Sequence, residues 1–149
     1  MKIAAPPQVV WNIIADPSYV PKLYPHVIAI SPSHSRIASV GKSVTVTAKI
    51  SGHRMVATLT ATEVVPNKRF SYKHGRDGFL EKYLCSIVLT PAKRGTVVTE
   101  SVEYDAREGY LAQIASKVLV NRLVRENVIE SLRNLKEMAE LEEQPAASG

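Results

Sequence analysis

The chain has 149 residues, 45% of them hydrophobic and 22% charged, which supplies one core and is too short for two ordinary domains. This composition excludes a disordered chain, and no stretch reaches the roughly 18 consecutive apolar residues of a membrane span, so a soluble globular domain is expected. Lys plus Arg outnumber Asp plus Glu by 19 to 14, a net charge of +5, but the bases fall singly or in pairs at turns and on alternating strand positions, which predicts a solvated surface and no nucleic-acid site.

The elements follow in chain order. Pro6-Pro7 stands where a signal peptide would need its apolar stretch, and it opens a short helix over Gln8 to Ala15 with Val10, Trp11 and Ile14 on one face. Asp16-Pro17 ends that helix, and a second piece runs from Ser18 to Leu23 until Tyr24-Pro25 stops it. From Val27 the pattern changes to period two. Turn residues separate six runs of strand length, Val27 to Arg36, Lys42 to Ile50, His53 to Val65, Arg69 to His74, Phe79 to Thr90 and Thr96 to Asp105, the pattern of an antiparallel meander. In the second run Val44, Val46, Ala48 and Ile50 point one way and polar residues the other, so one sheet face is wet. After Gly109 the chain reads as helix almost to Glu143, a segment of roughly 45 Å if helical throughout. Residues 1–143 are expected to form one domain, and 144–149 a disordered tail.

A sheet with one apolar face needs a cover, and the final helix is the element long enough to lie across it. Twist makes the sheet concave toward that helix, so the two surfaces part over some of their length, and an interior cavity is expected.

Several motifs in this order carry a family resemblance. They are Ile3-x-Ala5-Pro6-Pro7-x-x-Val10-Trp11 with Asp16-Pro17; Glu63-Val64-Val65-Pro66-x-x-Arg69-Phe70-x-Tyr72; Leu89-Thr90-Pro91 leading to Gly95-Thr96-x-Val98-Thr99; and Ser131-Leu132-x-x-Leu135-Lys136. Together they make the chain resemble the START-like, or SRPBCC, superfamily, which includes polyketide cyclase/dehydrase and coenzyme Q-binding members. Leu111-Ala112-Gln113-Ile114-Ala115 is similar to the carbon monoxide dehydrogenase-associated members of that superfamily. The resemblance implies an α+β helix-grip fold, with a curved antiparallel sheet of six to seven strands, two short N-terminal helices and a long C-terminal helix over the concave face. It also implies a full first strand before the alanine-proline pair, where this chain has only Met1 to Ala4. Functionally it implies a cavity for lipids, quinones, polyketides or similar molecules, with catalysis in some members only.

The candidate lining follows from alternation. Phe70 and Tyr72 on one strand, Tyr83 and Ile87 on the next, and Val98, Glu100, Val102 and Tyr104 on the last are assigned to the concave face. Tyr83 and Tyr104 carry phenols that need partners when buried. At 100° per residue the final helix presents Ile114, Val118, Asn121, Arg125, Val128, Ile129, Leu132 and Leu135 as a stripe. Arg125 in that stripe requires an acceptor, and Glu100 is the only charged member of its inward series, so the two are expected to meet at the polar end of the cavity. A helix phase one position away instead places Arg125 at the rim.

Other chemistry finds little support. The single cysteine, Cys85, excludes an intrachain disulfide and a multi-cysteine zinc site, fits a reducing, cytoplasmic setting, and lies among core positions. His26, His34, His53 and His74 share no ligand spacing, and His53 and His74 fall at hairpin ends where a solvated imidazole is expected. Neither a metal nor a cofactor is expected. Glu81 and Glu100 form the one carboxylate pair suited to acid–base work. Three functions are therefore carried forward: a noncatalytic binder of a hydrophobic small molecule; a cyclase or dehydratase using an inward carboxylate or tyrosine; and an accessory protein that delivers a ligand to, or assembles, a larger redox complex. The basic turns permit transient contact with a membrane surface, and the apolar faces around Val118 to Val120 permit a homodimer.

Overall fold

The structure is a computed structural model, and it describes residues 1–31, 39–50, 52–75, 80–106 and 117–143. The expected tail over 144–149 lies outside these residues. Seven strands form one antiparallel sheet: β1 (Lys2–Ile3), β2 (Val27–Ser31), β3 (Ser43–Ile50), β4 (His53–Val65), β5 (Arg69–His74), β6 (Leu80–Ala92) and β7 (Gly95–Ala106). Their spatial order is β1-β7-β6-β5-β4-β3-β2, a meander from β2 to β7 with the N-terminal strand added beyond it. The helices are α1 (Pro7–Ile14), α2 (Val20–Leu23), reached through a 3-10 turn at Pro17–Tyr19, and α3 (Lys117–Glu143). This is the helix-grip arrangement, a curved sheet gripping one long helix.

Local chemistry accounts for the N-terminal elements. Pro7 opens α1, where its missing N–H leaves no bond unmade, and Val10, Trp11, Ile13 and Ile14 are buried. Asp16 turns the chain by accepting from the Ser18 amide at 3.0 Å and the Ser18 hydroxyl at 2.9 Å. Met1 to Ala4 do form a strand, of two residues. It is fastened by the Val98 amide donating to the Met1 carbonyl at 2.8 Å and by the buried Thr96 hydroxyl donating to the Ala5 carbonyl at 2.7 Å.

Bulges in β4 and β6 set the faces of those two strands. Met55, Leu59 and Ala61 point inward along β4; the register then shifts between Ala61 and Glu63, after which Val64 packs on the core. In β6 the shift lies between Leu80 and Lys82, so that Leu80 and then Tyr83, Cys85, Ile87 and Leu89 face inward. The core gathers these residues with α1, Val98 and the buried α3 residues Val120, Leu135 and Ala139.

The helix α3 packs against α1, α2, β1 and β7. Its C-terminal half is tied to the start of the chain: Asn134 donates to the Leu23 carbonyl at 3.1 Å, and Glu140 accepts from the Ala4 amide at 2.9 Å and pairs with Lys136. Its N-terminal half stands away from β3 to β6, and a hollow lies between them. No described helix is long and apolar enough to cross a membrane.

Candidate functional site

The hollow has two adjoining parts. The outer is a cavity of about 180 Å³ whose walls include Val46 and Ala48 of β3, Met55, Ala57 and Leu59 of β4, Tyr72 and His74 of β5, Tyr83 of β6, and Leu123, Val124 and Asn127 of α3. The inner is a chamber of about 50 Å³ bounded by Val44, Phe70, Ile87, Glu100, Ser131 and Leu135 among others. Val20, Tyr24, Leu59 and Tyr72 line both. An apolar space of roughly 150 Å³ is enough to hold a benzene-sized guest, so the outer part alone admits a ring compound.

Aromatic side chains give the wall its shape. Trp11 meets Phe70 edge-on at 6.2 Å, Phe70 lies 6.0 Å from Tyr72, Tyr72 stacks on Tyr83 at 6.4 Å, and Tyr83 stacks on the His74 ring at 4.6 Å. The inner end is polar. Tyr24 Oη lies 3.3 Å from Tyr72 Oη and donates to Glu100 Oε1 at 3.3 Å, and Cys85 Sγ donates to the same oxygen at 3.4 Å. Ser131 Oγ stands 3.1 Å from Glu100 Oε2 and 2.9 Å from the Val128 carbonyl oxygen. Its single proton serves one of them.

None of the ion pairs among the described residues includes Glu100, and burial pushes its carboxyl above the usual glutamate range, toward the neutral form, against the opposing pull of the Cys85, Ser131 and Tyr24 hydrogen bonds. Burial likewise pushes the Tyr24, Tyr72 and Tyr83 phenols and the Cys85 thiol upward. Every titratable group at this end is driven to the state without negative charge.

The residues expected from the sequence divide into those at the hollow and those away from it. Phe70, Tyr72, Tyr83, Ile87 and Glu100 line it. Val98 is fully buried in the core, and Val102 and Tyr104 pack against that core without reaching the hollow. Ile114 lies outside the described residues. Val118 is 76% exposed, Asn121 and Arg125 are exposed, and Asn121 accepts from the Tyr104 hydroxyl. The expected Arg125–Glu100 contact is therefore not made. The buried stripe of α3 runs through Val120, Val124, Asn127, Ser131 and Leu135, one position from the expected phase, so Glu100 meets a hydroxyl where a guanidinium was expected. Nor do Glu81 and Glu100 pair: Glu100 lies opposite Ile87, and exposed Glu81 is roughly 20 Å further along β6.

Tyr24 and Ser131 are the functional residues that periodicity did not identify. Tyr24 ends α2, where the following proline marks a stop and says nothing of where the ring goes. Ser131 would have emerged from the alternative helix phase. His74, expected as a solvated imidazole, is half-buried against Tyr83 and lines the outer cavity.

The model of the family described as polyketide cyclase/dehydrase and lipid transport matches residues 1–140. No match is found among curated proteins. Three solved structures show the same fold. The Zhui aromatase/cyclase from Streptomyces sp. R1128 superposes with a TM-score of 0.81 at 16% identity, covering 100% of this chain and 94% of that one. TTHA0849 from Thermus thermophilus gives 0.77 at 20% identity, over 97% and 96% of the two chains. A START superfamily protein from Mycobacterium smegmatis gives 0.74 at 12% identity, over 95% and 94%. At these identities the likeness is one of architecture.

Proposed function

The chain belongs to the polyketide cyclase/dehydrase and lipid transport family, and from that premise we propose that it binds a hydrophobic small molecule, of lipid, quinone or polyketide-like chemistry, between the sheet and α3. The observation that carries this reading is the apolar outer cavity of about 180 Å³, beside a smaller chamber whose polar groups converge on Glu100. Apolar walls supply affinity without direction, and the few hydroxyls at the closed end orient the guest. Ala57 lines the outer cavity, so Ala57→Trp fills it. Titration with the neutral fluorophore N-phenyl-1-naphthylamine tests the reading: the wild type enhances its emission, and Ala57→Trp weakens binding at least roughly tenfold. Equal binding by the two proteins would place the dye elsewhere and defeat the proposal.

A second reading, proton transfer to a bound carbonyl compound as in a cyclase or dehydratase, draws on the same Glu100. A carboxyl group pushed toward its neutral form by burial is suited to giving a proton to a carbonyl oxygen. On that reading Glu100→Gln abolishes turnover of a candidate substrate while leaving its binding intact; unchanged turnover removes Glu100 from any chemistry.

A further inference from the structure

Of the four residues shared by the two chambers, Val20, Leu59, Tyr24 and Tyr72, the last two bring hydroxyls. Tyr24 and Tyr72 line both chambers, their oxygens 3.3 Å apart. Behind them Tyr24 gives its one proton to Glu100 Oε1, so across the contact between the two phenols Tyr24 Oη accepts and Tyr72 donates, while Ser131 donates to the other carboxyl oxygen. The hydroxyl at the outer end, that of Tyr72, is therefore a donor. An acceptor oxygen on a guest in the outer cavity can take its proton in place of Tyr24.

The same end is hostile to a negative charge. No lysine or arginine is among the described residues lining either chamber, and the two histidines of the outer one, His26 and His74, are absent from the inner lining where Glu100 stands. The group behind the tyrosines is a carboxyl, and an anion brought against it faces desolvation without a countercharge. Burial pushes Glu100 and the surrounding phenols toward their protonated forms.

We propose that the Tyr24–Tyr72 pair backed by Glu100 is a specificity filter that accepts uncharged guests bearing a carbonyl oxygen and rejects carboxylates, free fatty acids included. This rests on the cavity-binding reading above and narrows it to a class of ligand. Glu100 and Ser131 act through the tyrosines as positioning residues, and Tyr72 makes the contact.

Three probes with one ring system test it: 2-acetonaphthone, its near-isosteric anion 2-naphthoate, and 2-ethylnaphthalene, which lacks the oxygen. Displacement of N-phenyl-1-naphthylamine at neutral pH is expected to show the wild type binding the ketone at least about tenfold more tightly than the carboxylate. Tyr72→Phe is expected to weaken the ketone roughly fivefold and leave 2-ethylnaphthalene within about twofold. The wild-type comparison needs no variant, and thermal melting verifies that Tyr72→Phe is folded. Naphthoate binding as tightly as the ketone, or a Tyr72→Phe loss equal for ketone and hydrocarbon, overturns the filter while the cavity reading stands. Failure of all three probes to bind overturns both.

Discussion

Glu100 is a carboxyl group that no described cation answers, and its protonation couples the site to the stability of the whole chain. Burial raises its folded-state value above that of the unfolded chain, so over the interval between them the folded protein holds a proton that the unfolded one has lost. The contribution is complete below the ordinary glutamate value of about 4.3 and disappears as pH rises through the folded value. Glu100→Gln cannot lose that proton. Melting temperatures followed from about pH 4 to about pH 8 should therefore show the variant gaining on the wild type as pH increases; a gap that moves the other way contradicts a neutral Glu100. A second residue, Gly95, is fixed by space. A Cβ there would collide with the Ile3 carbonyl oxygen, and backbone cannot move aside as a flexible side chain would. Gly95→Ala is expected to cost about 1–3 kcal/mol and to release β1, seen as faster hydrogen exchange at the Val98 amide that donates to Met1.

Among the elements, the strands were legible in the sequence and the rotation of the last helix was not. Period two survives in β5 and β7, where Phe70 and Tyr72, and then Thr96, Val98 and Glu100, keep one parity from end to end. In β4 and β6 bulges change the parity midway, and no residue type announces a bulge. Along α3, apolar residues lie on nearly every face between Val118 and Val124, so two phases fit the pattern about equally, and the one built around an Arg125–Glu100 pair is not the one adopted. The adopted phase buries Val120, Val124, Ser131 and Leu135 and turns Arg125 to water. Tyr24 was hidden for a different reason: its role is created by a contact with Tyr72, 48 residues away in the chain. The phase makes opposite predictions for two substitutions. Arg125→Met should alter stability by less than about 0.5 kcal/mol and leave ligand affinity unchanged, whereas Leu135→Ala, at a position 3% exposed, should cost about 2–5 kcal/mol in urea unfolding. A large effect at Arg125 with a small one at Leu135 would restore the other phase.

For the whole molecule, the division of labour along α3 explains why a hollow persists. Its C-terminal half is held by Leu23, Lys2 and Ala4, while its N-terminal half spans strands that curve away and leaves the aromatic wall of β5 and β6 facing open space. A close-packed interior would collapse around so few atoms, but a helix anchored at one end bridges the concave sheet without following it. The basic charge balance plays no part in this: the lining of the outer cavity is aromatic and aliphatic, with His26, His74 and Asn127 as its nitrogen-bearing members. The most direct measurement is the position of a bound guest. Intermolecular nuclear Overhauser effects from the ring protons of 2-acetonaphthone should reach the methyl groups of Val46, Leu59 and Val124 and the Tyr72 ring, all of which face the outer cavity. Contacts confined to exposed methyls such as those of Val118 and Ile28, with none to the inner set, would contradict the account.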